Sequence, residues 1–258
     1  MPEAILSFSF RGSKVLVTGG TSGMGEAAAL GFAKAGAEVV ISGRDQARGD
    51  SVCNRSTGEG SISFMAGDIS DRETCDELVA SAANQLGGLD IVVNSAGVIF
   101  HGTAEETTDQ QWLQTMNVNV NGMFYVCRAA IPHLRKSRGT IINIASDASL
   151  SGSCHLVAYC ASKGAVLQMT RAMALDYAAE GIRIVPICPG DVDTPMLRGE
   201  FRDRGLTLEA GLKESAEGVP LKRVCSAEEV ADMVLYACTD SAKFITGYPL
   251  VLDGGNRA

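Results

Sequence analysis

The sequence lacks the features of several large classes of protein. In its 258 residues no uninterrupted apolar run approaches the 18 or so residues that span a bilayer. Lys and Arg total 22 against 30 Asp and Glu, and this net charge of −8 offers no general basic field to hold a nucleic-acid backbone or an anionic membrane. The first twenty residues do not have the pattern of a secretory signal, because Ser7, Ser9 and Arg11 interrupt their apolar stretch. We expect a cytoplasmic protein that binds neither nucleic acid nor membranes.

Paired cysteines and clustered histidines are also missing. Eight cysteines are scattered without a Cys-x-x-Cys pair, and the three histidines stand at no metal-binding spacing. We interpret the cysteines as reduced packing residues and predict no metal site. Cys154 and Cys160 flank a motif described below, but packing remains the simpler role for them.

Glycine, by contrast, is abundant. The 29 glycines exceed the usual share of roughly 7% and follow no G-X-Y period, which excludes collagen and predicts turns that depend on glycine. Hydrophobic residues make up 46% of the chain, which excludes disorder and provides for a large core.

Short β-branched runs alternate with longer helical patterns along the chain. This alternation predicts βαβ units in a doubly wound, Rossmann-like α/β fold with a seven-stranded parallel sheet, in one domain over residues 1–258. The predicted strands are 14–18, 38–42, 61–65, 89–94, 139–145, 182–188 and 248–252. The predicted helices are 25–35, 72–85, 109–135 and 156–180. Residues 190–220 are charged and rich in glycine without a strand pattern, and we interpret them as a substrate lid.

The first strand runs directly into a glycine-rich turn and a helix. Gly19, Gly23 and Gly25 leave room for a pyrophosphate at the backbone, and the helix amino terminus favours its charge. The spacing Gly-x3-Gly-x-Gly departs from the common Gly-x-Gly-x-x-Gly fingerprint, so a merely structural turn stays open as an alternative.

The second strand ends at Ser42-Gly43-Arg44-Asp45, where the adenine ribose of a dinucleotide would be read. Arg44 favours the 2′-phosphate of NADP, whereas an acidic residue there would favour NAD. Asp45 either points inward or caps the next helix. The sequence therefore favours NADP and leaves NAD open.

Tyr159 and Lys163 stand four residues apart on a predicted helix. They share one helix face, so we expect Lys163 to lower the pKa of Tyr159 and make it a usable general acid or base. A solvent-facing pair is the alternative. Other polar groups converge on the same rim of the sheet: Ser146 after the fifth strand, Asn119 in a preceding helix, and the strand ends 94–97 and 189–194.

With these elements in this order, the chain resembles the short-chain dehydrogenase/reductase family from Lys14 to Gly255. The resemblance implies a catalytic tetrad of Asn119, Ser146, Tyr159 and Lys163. Ser146 would orient the substrate oxygen, Tyr159 would exchange the proton, Lys163 would also bind the nicotinamide ribose, and Asn119 would hold a relay water. The residues implied or expected to bind the cofactor are Gly19, Thr21, Ser22, Gly23, Met24, Gly25, Arg44, Asp68, Ile69, Asn94, Ala96, Gly97, Tyr159, Lys163, Pro189, Gly190, Val192 and Thr194.

The sequence departs from the family pattern in two places. Ser95 replaces the second asparagine of the usual Asn-Asn-Ala-Gly, a small polar exchange that should keep the turn intact. The glycine loop also lacks the second basic residue common in NADP-preferring members, because Thr21, Ser22 and Met24 are uncharged. This second departure weakens the case for NADP.

The substrate would meet the loop 147–158 and the lid. Leu150, His155, Leu156 and Val157 suggest a mainly apolar lining, and His155 either contacts substrate or lies incidentally at the surface. Three lid arginines, Arg198, Arg202 and Arg204, would meet a substrate carboxylate or belong to a solvated helix.

We therefore predict an NADP-preferring oxidoreductase that acts on a secondary alcohol or ketone. The alternatives are an NAD-dependent alcohol, diol or sugar-alcohol dehydrogenase on the same scaffold and, more distantly, a cofactor-sensing binding protein without turnover. The resemblance also implies a homotetramer built on the long central helices and the carboxyl-terminal segment.

Overall fold

Seven short apolar segments pair into one parallel sheet in the computed structural model, which describes residues 7–258. The order across the sheet is β3-β2-β1-β4-β5-β6-β7. The strands are β1 (Lys14–Thr18), β2 (Glu38–Gly43), β3 (Ser61–Ala66), β4 (Ile91–Asn94), β5 (Thr140–Ile144), β6 (Arg183–Pro189) and β7 (Leu250–Leu252). All seven predicted strands are confirmed, with ends that move by one or two residues.

Both faces of the sheet are covered by helices, as the almost wholly apolar strands require. Along β1, Leu16 packs into a core with α3, α5 and α6, while Val15 and Val17 pack on the other face against α1 and α9. The helices are α1 (Gly23–Lys34), α2 (Gln46–Asn54), α3 (Arg72–Leu86), α4 (Asp109–Met116), α5 (Met123–Ser137), α6 (Val157–Tyr177), α7 (Pro195–Asp203), α8 (Leu208–Gly218) and α9 (Ala227–Cys238). The fold is therefore the predicted doubly wound, Rossmann-like one.

The predicted helix 109–135 is interrupted. A π-helical segment, Asn117–Gly122, separates α4 from α5 and contains Asn119. A β-carbon at Gly122 would meet the backbone of Ile69 at 2.5 Å, so the chain passes closely beneath the strand-end loop at this point. Single π-helical turns inside α-helices are frequent at functional sites.

The strand order places a crevice at one edge of the sheet. The chain runs outward from β1 to β3 and then returns to add β4 on the other side of β1, so the loops that follow β1 and β4 diverge at the carboxyl ends of these strands. Ligands of open α/β sheets bind at this switch point. The predicted site residues come from the loops around it.

Within residues 7–258, no helix has both the length and the apolar character to cross a membrane. The eight cysteines are all free thiols, of which Cys75, Cys127 and Cys188 are buried and Cys154 is exposed.

Candidate active site

A cleft of about 890 Å³ opens at the carboxyl ends of β1, β2, β3 and β4. We call it the cofactor cleft. The predicted cofactor residues that line it are Gly19, Thr21, Ser22, Gly23, Met24, Arg44, Asp68, Ile69, Ala96, Gly97 and Thr194. The predicted residues that do not line it lie behind its wall or in the neighbouring pocket described below.

The floor of the cofactor cleft is built from the glycine turn. Gly19 has φ +67°, and a β-carbon there would lie 2.6 Å from the backbone of Ala96. Ser22 then begins α1 without a side-chain cap, whereas Asp45, Asp71 and other residues cap the first turns of α2, α3, α4, α7, α8 and α9. The amino-terminal N–H groups of α1 are thus left for another acceptor, and a phosphate fits that role.

The end of β2 carries the positive charge of the cofactor cleft. Arg44 is exposed on its wall and, within residues 7–258, makes no ion pair. Asp45 also lines the cleft, but its carboxylate is engaged: it accepts the backbone N–H of Arg48 at 3.1 Å and lies 3.4 Å from the Arg48 guanidinium. Among the residues that the structure describes, Arg44 is therefore the cation of this wall that is left for an anionic group of a ligand.

A second pocket of about 340 Å³ adjoins the cofactor cleft, and Met24, Thr194 and Met196 line both. We call it the substrate pocket. Ser146 and Tyr159 line it, as do Gly190 and Val192 of the predicted cofactor set. Ser146 caps the short 3₁₀ turn that follows β5, where its hydroxyl accepts the backbone N–H of Ala148 at 3.1 Å. The predicted pair Ser146 and Tyr159 thus comes together beside the cleft.

The electrostatics of Tyr159 differ from the expectation. Its pKa is raised, chiefly because burial disfavours the phenolate; the hydrogen bond with Ser146 opposes this shift, and the charges of Glu200 and Asp147 add to it. The pKa of Tyr159 is thus raised and not lowered, opposite to the direction expected from the spacing to Lys163. The ammonium group lies 5.6 Å from the Tyr159 ring centroid and donates to the carbonyl of Ile144 at 2.8 Å.

The pKa of Lys163 is also strongly shifted. Its side chain is only 6% exposed, and burial lowers its pKa from 10.5 to about 8. Its ammonium group lies near the Tyr159 ring, and a β-carbon placed at Gly97 would lie 3.8 Å from it. The shared helix face predicted from the i,i+4 spacing therefore forms, but it faces the protein interior.

Asn119 uses its side chain to hold a loop. Its carboxamide oxygen accepts the N–H of Val98 at 2.8 Å, while its amide donates to the carbonyl of Val98 at 2.9 Å and to the hydroxyl of Ser162 at 3.0 Å. Ser162 donates in turn to the carbonyl of Tyr159 at 2.8 Å. Asn119 therefore ties the loop after β4 to the helix that carries Tyr159.

Asn94 belongs to a buried network beneath the cofactor cleft. Its amide donates to Asn143 at 2.9 Å, and the amide of Asn143 donates to Thr170 on α6 at 2.9 Å. Thr18 and Cys127 complete the set, at 3.4 Å and 3.2 Å from the Asn94 side chain. The network links the ends of β1, β4 and β5 to α6, and the Asn94 side chain is directed into it.

Asn94, Gly25 and Pro189 of the predicted cofactor set line neither the cofactor cleft nor the substrate pocket.

The lining of the substrate pocket differs from the predicted one. Of the four loop residues expected there, only Leu156 lines it; Leu150 and Val157 are 41% and 39% exposed, and His155 faces Glu106 at 3.9 Å. The left-handed backbone of His155, with φ +58°, turns this loop outward. The lining is mixed instead, with apolar side chains such as Ile99, Leu197 and Phe201 beside polar ones. The histidine in it is His101, whose Nε2 lies 2.6 Å from Glu200.

The segment predicted to form a charged lid, residues 190–220, contains the two helices α7 and α8. Arg204 alone of the three lid arginines lines the substrate pocket, and it pairs with Glu214. Arg198 pairs with Asp193 at 2.6 Å, and Arg202 lies away from the pocket.

Four pocket residues lie outside the predicted loop and lid, namely His101, Asp253, Asn256 and Arg257. Asp147, Asp191 and Glu200 lie within those predicted segments but were not singled out as substrate contacts. Asp147 follows Ser146 directly and accepts the Ser146 hydroxyl at 3.2 Å, the Arg257 guanidinium at 3.2 Å and the Asn256 amide at 3.3 Å. A polar residue next to Ser146 was the available signal. Asn143 offered a similar sequence signal, because it is an amide between two isoleucines in a buried strand.

The chain is similar to known proteins over most of its length. A family model described as enoyl-(acyl carrier protein) reductase matches residues 19–257. The meso-2,3-butanediol dehydrogenase of Serratia marcescens is 36% identical over 96% of each chain. The D-beta-hydroxybutyrate dehydrogenase of Rhizobium meliloti is 37% identical over 93% of this chain and 96% of its own. The crystal structure of gox2181 superposes with a TM-score of 0.88 at 30% identity over 96% of each chain.

Proposed function

Because the chain belongs to the short-chain dehydrogenase/reductase family and is an oxidoreductase, we propose that it moves hydride between NADP and the carbinol or carbonyl carbon of a secondary alcohol or ketone. The observation that carries the proposal is the position of Tyr159 and Ser146, in a pocket that adjoins the cofactor cleft. A binding protein without turnover has no use for a half-buried phenol beside a serine hydroxyl at that junction.

The proposed chemistry divides between cofactor and chain. When bound, the nicotinamide supplies or accepts the hydride. During ketone reduction Tyr159 donates its phenolic proton to the carbonyl oxygen, while the Ser146 hydroxyl turns from Asp147 and donates a hydrogen bond to the same oxygen. The raised pKa of Tyr159 keeps the phenol protonated, which is the form that reduction needs.

Lys163 and Asn119 act around this pair. Lys163 supplies positive charge beneath Tyr159 and a donor near Gly97, where the nicotinamide ribose would lie. The amide of Asn119 has both donors occupied, so its contribution is to position the loop 95–98 and, through Ser162, the backbone of Tyr159. We propose that α7 and α8 act as the lid, since α7 contributes to both cavities.

The preference for NADP is proposed from Arg44. Its guanidinium is unpaired within residues 7–258 and borders the adenosine end of the cofactor cleft, while Asp45 is engaged as a helix cap. Arg44→Ala should weaken NADP binding at least tenfold and leave NAD binding within about twofold, because a phosphate–guanidinium contact is strong and charge-assisted. Arg55→Ala, which removes an arginine paired with Glu26, is the matched control. Equal loss of both cofactors would refute the assignment and favour the NAD-dependent alternative.

A homotetramer is proposed for the assembly. Large apolar side chains are exposed on α4, α5 and α6 and near β7, namely Trp112, Leu113, Phe124, Leu175, Phe244, Tyr248 and Val251. Light scattering at assay concentration should give four times the chain mass of 27.0 kDa. A monomeric mass would contradict this assembly.

Hydride transfer can be followed directly. A secondary alcohol deuterated at the carbinol carbon is incubated with the protein and oxidised cofactor, and the reduced cofactor is analysed by mass spectrometry. We expect one deuterium in each reduced cofactor formed. Reduced cofactor without deuterium would refute the proposed function. Absence of reduced cofactor with every alcohol, together with absence of cofactor oxidation with every ketone, for both NAD and NADP, would refute it as well.

A further inference from the structure

The substrate pocket is lined by four carboxylates, and this inference, which rests on the proposed function, concerns what they select. They come from four separate parts of the chain: Asp147 follows β5, Asp191 follows β6, Glu200 lies on α7, and Asp253 follows β7. The folded chain thus concentrates acceptors around the pocket that contains Tyr159.

Two of these carboxylates each accept two or more hydrogen bonds from the protein. Asp147 accepts Ser146, Asn256 and Arg257, as described above. Asp253 accepts the backbone N–H groups of Gly255 at 2.9 Å and Arg257 at 2.8 Å. Both therefore serve mainly to fold the segment 253–257 against the loop that carries Ser146.

Asp191 and Glu200 are less completely used. Glu200 has His101 as its hydrogen-bond partner, and the side-chain partner of Asp191 is Ser215. An ionised carboxylate offers about four acceptor positions, so each retains positions directed at the pocket that it lines. Asp191 is exposed, but into this concave pocket, where the surrounding protein and the charge of Asp147 raise its pKa.

The cationic side chains of the substrate pocket are already bound to carboxylates of the protein. Arg204 pairs with Glu214, and Arg257 pairs with Asp147. Within residues 7–258, the pocket thus presents no unpaired arginine or lysine at its surface to receive a carboxylate of the substrate. A substrate anion would instead meet Asp191 and Glu200 as a further like charge.

We propose that the substrate is an uncharged secondary alcohol, or its ketone, that carries further hydroxyl groups, and that these hydroxyls donate to Asp191 and Glu200. A vicinal diol or polyol has this chemistry, whereas a hydroxy acid does not. Asp191 and Glu200 are then the residues that determine specificity.

Five four-carbon alcohols test the proposal at constant size: 2-butanol, 2,3-butanediol, erythritol, 3-hydroxybutyrate and 3-amino-2-butanol. We expect kcat/KM for 2,3-butanediol or erythritol to exceed that for 2-butanol at least tenfold and that for 3-hydroxybutyrate at least a hundredfold. A preference for 3-hydroxybutyrate, 2-butanol or the amino alcohol over both polyhydroxy compounds would overturn the substrate class and leave the oxidoreductase proposal standing. Absence of turnover of all five with both cofactors, while deuterium transfer is found with a larger monohydroxy alcohol and with no larger polyol, would overturn only the substrate class. Absence of any hydride transfer would overturn both.

A pair of variants assigns the effect to the pocket. Asp191→Asn keeps the side-chain size but removes a negative charge, and it should narrow the ratio of kcat/KM between diol and hydroxy acid at least tenfold. Asp193→Asn, two residues away and outside the pocket, should leave that ratio unchanged. The ratio is measured on one preparation, so partial unfolding of a variant does not alter it. An equal change in both variants, or in neither, would overturn the role of Asp191.

Discussion

Lys163→Met should make the protein more stable at neutral pH while abolishing turnover. Lys163 is 6% exposed, and burial lowers its pKa from 10.5 to about 8, so keeping it charged in the fold costs about 3 kcal/mol below pH 8. The variant also loses the hydrogen bond to Ile144, which contributes about 1 kcal/mol. The net expectation at pH 7 is a gain of about 2 kcal/mol in the free energy of unfolding.

The stability difference between Lys163→Met and wild type should depend on pH. Because the folded pKa of Lys163 lies below its unfolded value, the unfolded state binds more protons between about pH 8 and 10.5, and wild-type stability rises across that range. The advantage of the variant is therefore complete below pH 8 and disappears as the pH approaches 10.5.

Thermal and urea unfolding at fixed protein concentration measure this difference. A gain of about 2 kcal/mol corresponds to roughly 4–8 °C in Tm for a chain of this size. Lys243→Met, at an exposed lysine, is the control and should show no such pH-dependent gain. A Lys163 variant that is no more stable than wild type at pH 7, or whose difference from wild type does not change with pH, would refute the reasoning.

Two further predictions concern the same site. Because the pKa of Tyr159 is raised, the phenolate needed for alcohol oxidation is scarce at neutral pH, and kcat for oxidation should rise by about tenfold per pH unit from pH 6 to 8. A kcat that does not change with pH in steady-state assays would contradict a proton transfer limited by Tyr159. Asn143 is 0% exposed, and Asn143→Ala removes its hydrogen bonds to Asn94 and Thr170. The variant should therefore lower the free energy of unfolding, measured by urea titration, by about 3 kcal/mol. A loss below about 1 kcal/mol would show that this hydrogen-bond network contributes little to stability.

The sheet and the cofactor cleft could be predicted because their signals are local. A run such as that of β1 is apolar on both faces, and glycine is required where Gly19 approaches the backbone of Ala96. The strand-end positions of Arg44 and Ser146 then follow from the topology alone.

The substrate pocket could not be predicted in the same way, because its polar groups come from distant segments. Nothing in the local pattern of Glu200 indicates that it meets His101, 99 residues away. The pKa of Tyr159 was misjudged for a related reason, since the i,i+4 spacing to Lys163 says nothing about burial or the competing carbonyl of Ile144. The helix α7 did have a local signal, because Thr194 caps it and Pro195 occupies its first turn.

The central claim is that Tyr159 transfers the proton in a cofactor-dependent oxidation or reduction. Tyr159→Phe removes only the phenolic oxygen from a pocket that the ring still fills, so NADP binding, measured by fluorescence titration, should stay within about threefold of wild type. Turnover of the best substrate on the same preparation should fall at least a thousandfold, as loss of a general acid and of its hydrogen bond predicts. Turnover retained within tenfold of wild type, with cofactor bound normally, would contradict the account.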